Sequence, residues 1–172
     1  MTTISLQQLG DAVLGVECMS FHERELLADE IHAAQPNLFF SVLALQGFGA
    51  TVEEMEVVLN LLLVFYCAMK MSGKTWPVIS EDDQGRGLKR INARSRFMEG
   101  LSPRQQAQAT ADSIARHTQK QLLAYVFGKL TEHGLDTVKT EAEKMIVLVA
   151  VNLVECIALT APTKAKTKGP KR

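Results

Sequence analysis

The segment Glu56–Lys70, EVVLNLLLVFYCAMK, constrains the fold more than any other part of the chain. Between its charged ends, twelve of thirteen residues are apolar, and Asn60 is the single interruption. A helix that is apolar around most of its circumference must be covered by other elements or lie in a membrane. Crossing a bilayer takes about 20 apolar residues. The segment therefore predicts a helix at the centre of a protein core.

A second apolar segment, Met145–Leu159, has the sequence MIVLVAVNLVECIAL and contains both Asn152 and Glu155. It is also shorter than a membrane span, and its carboxylate makes a lipid environment costly. We therefore expect no membrane association. The chain also starts without a basic stretch ahead of an apolar one, so we expect no secretory signal and a cytoplasmic location.

The composition predicts a helical globular protein. Hydrophobic residues make up 47% of the 172 residues, and charged residues make up 22%. Leu, Ala, Glu, Gln and Lys are abundant, and all of them favour helix. Cys18, Cys67 and Cys156 are odd in number and far apart, which indicates free thiols in a reducing compartment rather than a disulfide framework.

Helix starts are marked by four capping boxes, in which a Ser or Thr is followed three residues later by Glu or Gln. These are Ser5/Gln8, Ser20/Glu23, Thr51/Glu54 and Ser102/Gln105. With Gly and Pro as stop signals, we predict helices at 6–18, 21–35, 37–46, 52–71, 88–98, 103–132 and 137–159. The predicted fold is an all-α bundle or orthogonal array of six to seven helices, with the two highly apolar helices in the centre.

The predicted organisation is a single helical domain over residues 1–160. Its halves, 1–71 and 88–160, are joined by an exposed connector at 72–87, SGKTWPVISEDDQGRG, in which Gly85 and Gly87 suggest a flexible hinge. Residues 161–172 are rich in Lys, Thr and Pro, which predicts a disordered basic tail.

The charges are unevenly distributed along a chain whose net charge is zero. Residues 1–56 contain nine acids and a single base, Arg24, whereas a basic cluster follows the connector. Such a cluster can bind phosphates of a nucleic acid or another polyanion, or can pair with acidic helices of the same protein. The candidate polyanion-binding residues are Arg86, Lys89, Arg90, Arg94 and Arg96.

Polar residues within the two apolar helices form a second candidate site. Asn152 and Glu155 are three residues apart and lie side by side on a helix. Together with Asn60 they predict a polar notch, or the floor of a pocket for a small apolar molecule, within the core. The alternative is that all three are satisfied structurally, with Glu155 paired to a cation from another helix.

The segment FHERELLADEIH offers the most metal-like pattern. His22, Glu25, Asp29 and His32 fall on one face of a helix and could form a ligand set. A helical di-metal site needs a second Glu-x-x-His helix, and the sequence contains none. The alternative is a solvated face with pairs along the helix.

No Ser-His-Asp or Cys-His constellation is apparent, so we predict a non-catalytic interaction or regulatory protein that needs no cofactor. The apolarity of the two central helices favours a homo-oligomer or a protein partner. The first alternative is a nucleic-acid-associated accessory protein using residues 86–96 and the tail. The second is a metal-dependent helical-bundle enzyme.

Overall fold

The computed structural model describes residues 3–135 and 137–164, and this part of the chain is almost entirely helical. Eight α-helices follow one another. They are α1 (Leu6–Glu17), α2 (Phe21–Ala34), α3 (Pro36–Leu43), α4 (Val52–Met71), α5 (Glu81–Met98), α6 (Pro103–Arg116), α7 (Lys120–Glu132) and α8 (Glu141–Leu159). A 3-10 turn, Ala44–Phe48, follows α3. The predicted all-α fold is confirmed, with one helix more than expected.

The only strands in the described residues are two short segments, β1 (Lys74–Thr75) and β2 (Thr163–Lys164). They pair antiparallel, with Lys74 opposite Lys164 and Thr75 opposite Thr163. The start of the predicted disordered tail is therefore joined to the segment after α4. The remainder of that tail, residues 165–172, lies outside the described residues.

Helices α4 and α8 contribute many of the buried side chains and pack against each other. The other face of α4 is covered mainly by α1, with α2 and α3 beside it. Helix α8 is covered mainly by α5, with α7 and the 3-10 turn beside it. None of the helices in the described ranges combines the length and the apolarity needed to cross a bilayer.

The predicted connector at 72–87 is shorter than expected, because α5 already begins at Glu81. A capping box starts the helix: the Ser80 hydroxyl accepts a hydrogen bond from the Asp83 amide, and the Asp83 carboxylate accepts one from the Ser80 amide. The predicted hinge is wrong for the same reason, since Gly85 and Gly87 both lie within this helix.

The remaining connector is held firmly against the core. Ile79 is fully buried, and its amide donates to the side chain of Gln35 at 2.9 Å. The Gln35 side chain in turn donates to the Pro77 carbonyl, and Asn37 donates to the Ile79 carbonyl. These bonds tie the segment to the junction of α2 and α3, and they fix the direction in which α5 leaves it.

The helix predicted at 103–132 is two helices, α6 and α7, and the break between them lies at His117–Gln119. His117 has an extended backbone conformation with φ −70° and ψ 140°. Gly128 lies within α7, where the helix continues through it. The break allows α6 to turn away from α7, and its cause is tertiary, as the contacts of His117 show below.

Candidate functional site

A charge is buried in the apolar helix α8, about one turn before its C-terminal end. The side chain of Glu155 is only 1% exposed. Its carboxylate is hydrogen-bonded by Arg94 of α5 and by Nε2 of His117, the latter at 3.1 Å. Arg90, one turn before Arg94, reaches to 3.8 Å of the same carboxylate. Three side chains from outside α8 therefore converge on one buried acid.

The hydrogen bonds of His117 determine its tautomer. Its Nδ1 accepts a hydrogen bond from the Gln119 amide at 3.1 Å, so the ring proton lies on Nε2 and is donated to Glu155. The side chain of Gln119 is itself buried and accepts a hydrogen bond from the Ile4 amide at 3.0 Å. The break between α6 and α7 is thus stabilised by contacts with α8 and with the start of the chain.

Two opposing effects act on the Glu155 carboxyl. Burial by itself would raise its pKa, but the hydrogen bonds from His117 and Arg94 outweigh burial and lower the pKa below its usual value. The carboxyl is therefore an anion at neutral pH. A buried anion of this kind fixes the position of the cations around it, and Arg94 in particular.

One turn before Glu155, Asn152 is buried where α8 meets α5. Its side-chain amide donates to the Gln84 carbonyl at 3.2 Å, while its Oδ1 atom has no hydrogen-bond partner among the described residues. This oxygen faces Gly87, where a Cβ atom would lie 2.1 Å from it. The absence of a side chain at Gly87 is what allows the two helices to come this close.

Beside this contact a cavity of about 600 Å³ opens between α5, α6, α7 and α8. Its volume is that of pockets that hold small organic ligands. Most of the wall is apolar, and its larger apolar side chains include Ile91, Phe97, Leu123, Phe127, Leu148 and Val151. Phe97 remains 75% exposed although it lines the cavity. The cavity is thus an apolar space that the protein itself does not fill.

One part of the cavity wall is polar. Arg94, held from behind by Glu155, also approaches the Ser113 hydroxyl of α6 at 3.4 Å. Arg116 lies one helical turn beyond Ser113 and lines the same space, as does Asp112. Lys144 lines the wall from α8 and lies 3.5 Å from Glu141 on its own helix. The cavity therefore combines an apolar interior with a small group of cations.

No family model, curated protein or solved structure matches this chain.

The five predicted polyanion-binding residues do not form one surface on α5. Arg90 and Arg94 face Glu155, and Arg86 pairs with Asp83 on its own helix. Lys89 and Arg96 are exposed and lie on a different side of the helix. Within the described ranges, the ion pairs of α5 are made with Asp83 and Glu155 and not with the acidic residues of 1–56. Polyanion binding stays a prediction, and fewer of these basic side chains are unpaired than the sequence suggested.

Asn152 and Glu155 form the predicted polar notch, but Asn60 is not hydrogen-bonded to either of them in the described part of the chain. Asn60 is half-buried on α4. The notch is therefore built from α8 and α5. The side chains of Arg94 and His117 fill the notch, so the cavity lies next to the notch and does not include it.

The four predicted metal ligands are not brought together. His22 Nδ1 lies 3.6 Å from Glu25, and both side chains are largely exposed. The ring of His32 instead packs against Phe39 and Phe40, with centroid distances of 5.4 and 5.2 Å. Among residues 3–135 and 137–164, no group of three or more His, Cys, Asp or Glu side chains is arranged to hold a metal ion.

Sequence reasoning missed two residues that shape the site. His117 could not be assigned a partner from the sequence, because Glu155 is 38 positions away. Gly87 was taken for part of a hinge, although it is the point of closest approach between α5 and α8. A signal for Gly87 was present in hindsight: helix formers flank it on both sides, and a glycine inside a helix often has a packing reason.

Proposed function

We propose that this protein is a non-catalytic binding protein that holds a small, largely apolar molecule between α5, α6, α7 and α8. The observation that carries the proposal is the cavity of about 600 Å³ with a largely apolar wall. The cavity is open to solvent on one side, so apolar side chains along its wall stay in contact with water at a cost in free energy. A ligand that fills it offsets that cost.

The packing of α6 supports this proposal. No residue of α6 is buried, although Ala109, Thr110 and Ser113 line the cavity. A helix gains most of its stability by burying an apolar face. With a ligand in the cavity, the inner face of α6 and the exposed ring of Phe97 would both lose contact with water. Ligand occupancy would thus couple to the order of α6.

The charge cluster supports binding rather than chemistry. Both ring nitrogens of His117 are engaged, one by the Gln119 amide and one by Glu155. A general base needs a free lone pair directed at a substrate. Cys156, beside Glu155, is buried, and burial raises its pKa to about 12, which is unsuitable for a nucleophile at neutral pH.

The test is calorimetric titration with 1-decanol and with decanoate, which share an apolar chain, together with hydrogen exchange of α6. We expect at least one of the two to bind stoichiometrically and to slow amide exchange over Pro103–Arg116. Ala109→Phe would fill the cavity and abolish binding. Ala107→Phe, on the outer face of the same helix, is the matched control and should bind as the parent protein does.

If neither compound binds the parent protein, or if both Phe variants bind equally well, the proposal is wrong. Circular dichroism of each variant separates a lost site from a lost fold.

Self-association is a second proposal, and exposed apolar side chains on α3 favour it. Phe40 and Leu43 are exposed one turn apart, and Phe48 in the following 3-10 turn is also exposed. Light scattering should give the mass of a dimer or a larger assembly for the parent protein and a smaller mass for Phe40→Asn/Leu43→Asn. A monomeric parent protein would exclude this second proposal without affecting the first.

A further inference from the structure

We infer that the molecule held in the cavity is a singly charged amphiphile, namely a carboxylate with an apolar tail. This inference rests on the proposed function and adds the chemical class of the ligand. The carboxylate would lie against Arg116, Ser113 and Arg94, and the tail would occupy the apolar interior between α5 and α8.

The position of Arg94 is the first argument. Its guanidinium is fixed by the buried Glu155 on one side and is half-buried at the cavity wall. A guanidinium carries five N–H donors in a planar arrangement, and the contacts with Glu155 and Ser113 leave some of them free for a further acceptor. The weak 3.4 Å contact with Ser113 is of the kind that a better acceptor would replace.

The second argument is the charge of Arg116. Three cations line the cavity, and two of them are already paired: Arg94 with Glu155, and Lys144 with Glu141. Within residues 3–135 and 137–164, no carboxylate lies at ion-pair distance from Arg116. Arg116 is exposed at the cavity mouth, one turn from Ser113. Arg116 thus keeps guanidinium donors free at the polar part of the wall, with the Asp112 carboxylate one turn before it on α6.

The number of charges limits the class of ligand. Arg94 and Arg116 offer hydrogen-bond donors to one carboxylate, and the carboxylate of Asp112 on the same wall would repel a second negative charge. A phosphate ester carries close to two negative charges at pH 7, and a nucleic acid carries many. Both would bring a second negative charge close to the Asp112 carboxylate, which a monocarboxylate would not.

The apolar wall determines the rest of the molecule. Leu123, Leu148 and Val151 offer no hydrogen-bond donor or acceptor from their side chains, so a sugar or a peptide would lose its hydration without compensation there. A hydrocarbon chain gains free energy in proportion to the area it buries. An anionic head with an apolar tail therefore fits both parts of the cavity.

The experiment is calorimetric titration with four compounds that share a ten-carbon chain and differ in the head group: decanoate, 1-decanol, decylammonium and decyl phosphate. We expect decanoate to bind about tenfold or more tightly than each of the others. Arg116→Gln should lower the affinity for decanoate about tenfold and leave that for 1-decanol unchanged, whereas Arg116→Lys should retain most of the preference.

Arg104→Gln is the matched control, because Arg104 lies on the same helix away from the cavity. It should change neither affinity, and a loss equal to that of Arg116→Gln would show a general charge effect and overturn the inference. Tighter binding of decyl phosphate or decylammonium than of decanoate would also overturn it.

The two proposals fail in different ways. If 1-decanol and decanoate bind with equal affinity and Ala109→Phe blocks both, the cavity binds apolar molecules and only the carboxylate inference is wrong. If none of the four compounds binds, the proposed function itself is wrong.

Discussion

Helices α4 and α8 are alike in sequence, since each is a long apolar helix with one asparagine and one cysteine, yet the structure treats their charges differently. The charge pair of α4 lies at its end, where Lys70 meets Glu30 at 2.7 Å with both side chains about half exposed. The charge of Glu155 lies about one turn before the end of α8 and is buried. Water screens the first pair, whereas neighbouring helices must stabilise the second.

The consequence is that the two helices depend on different kinds of partner. Helix α4 is covered by apolar faces of α1, α2 and α3, which need only be apolar and close. Helix α8 needs α5 and the residue after α6 to supply cations and hydrogen-bond donors at set positions. The cavity lies on this second side, where packing is governed by polar contacts and leaves apolar space unfilled.

The largest difference between the two helices should appear in their cysteines. Cys67 of α4 is half-buried, whereas Cys156 of α8 is fully buried and burial raises its pKa to about 12. In variants that keep a single cysteine, we expect Cys156 to react with a disulfide reagent at pH 8 more than about a thousandfold more slowly in the folded protein than in urea. Cys67 should show a much smaller difference. If folding slowed the reactions of Cys67 and Cys156 equally, the difference in burial between the two thiols would be contradicted.

The next largest effect concerns the ion pairs. Arg94→Met leaves Glu155 buried with weaker partners and should destabilise the protein by about 3 kcal/mol or more. Lys70→Met removes the exposed pair of α4 and should cost at most about 1 kcal/mol. Urea unfolding followed by circular dichroism measures both. Similar losses for the two variants would show that Glu155 reaches water.

The contact between α5 and α8 gives a third prediction. Gly87→Ala would place a methyl group 2.1 Å from Asn152 Oδ1 and should destabilise by about 1 to 3 kcal/mol. Gly85→Ala, two residues earlier on α5, has no atom within 4 Å of the new methyl group and should stabilise by up to about 1 kcal/mol. Thermal unfolding of both variants tests this, and the expectation fails if the two changes have the same sign.

The smallest effect is the pH dependence. Because the folded-state pKa of Glu155 is lowered, its contribution to stability is complete above the usual carboxylate range and is lost as the pH falls through the lowered pKa. The difference in unfolding free energy between the parent protein and Glu155→Gln should therefore be constant near neutral pH and narrow below about pH 4. The corresponding free-energy difference for Glu30→Gln should decrease less in acid, since water already screens that carboxylate. If this free-energy difference for Glu155→Gln increased as the pH falls, the lowered pKa of Glu155 would be contradicted.

Much of the helix pattern could be predicted because helix starts are local. The four capping boxes recognised in the sequence all form, and α4 runs from Val52 to Met71 as predicted. The Ser80/Asp83 capping box was not predicted, because the pattern requires Glu or Gln three residues after the Ser, and Asp is one methylene shorter than Glu. Thr140/Glu143 also forms a capping box, and α8 starts there, four residues later than predicted.

The candidate site could be predicted only in part. Asn152 and Glu155 were correctly placed together because they are neighbours on one helix. The choice of Arg94 as the partner of Glu155, rather than any other base, depends on how α5 lies across α8. The helix break at His117 was not predicted, and the hydrogen bonds that stabilise it reach α8 and, through Gln119, Ile4.

The sequence by itself determined that this protein has two helices apolar enough to require burial, and that polar residues within them need partners. Both follow from the hydrophobic effect and from the cost of unsatisfied polar groups, which act on each residue according to its own chemistry. Only the tertiary structure decided which helix covers which, that Gly87 allows the approach of α5 to Asn152, and that a cavity remains beside Arg94. These features depend on distances between segments that are far apart in the chain. Local sequence patterns do not contain those distances.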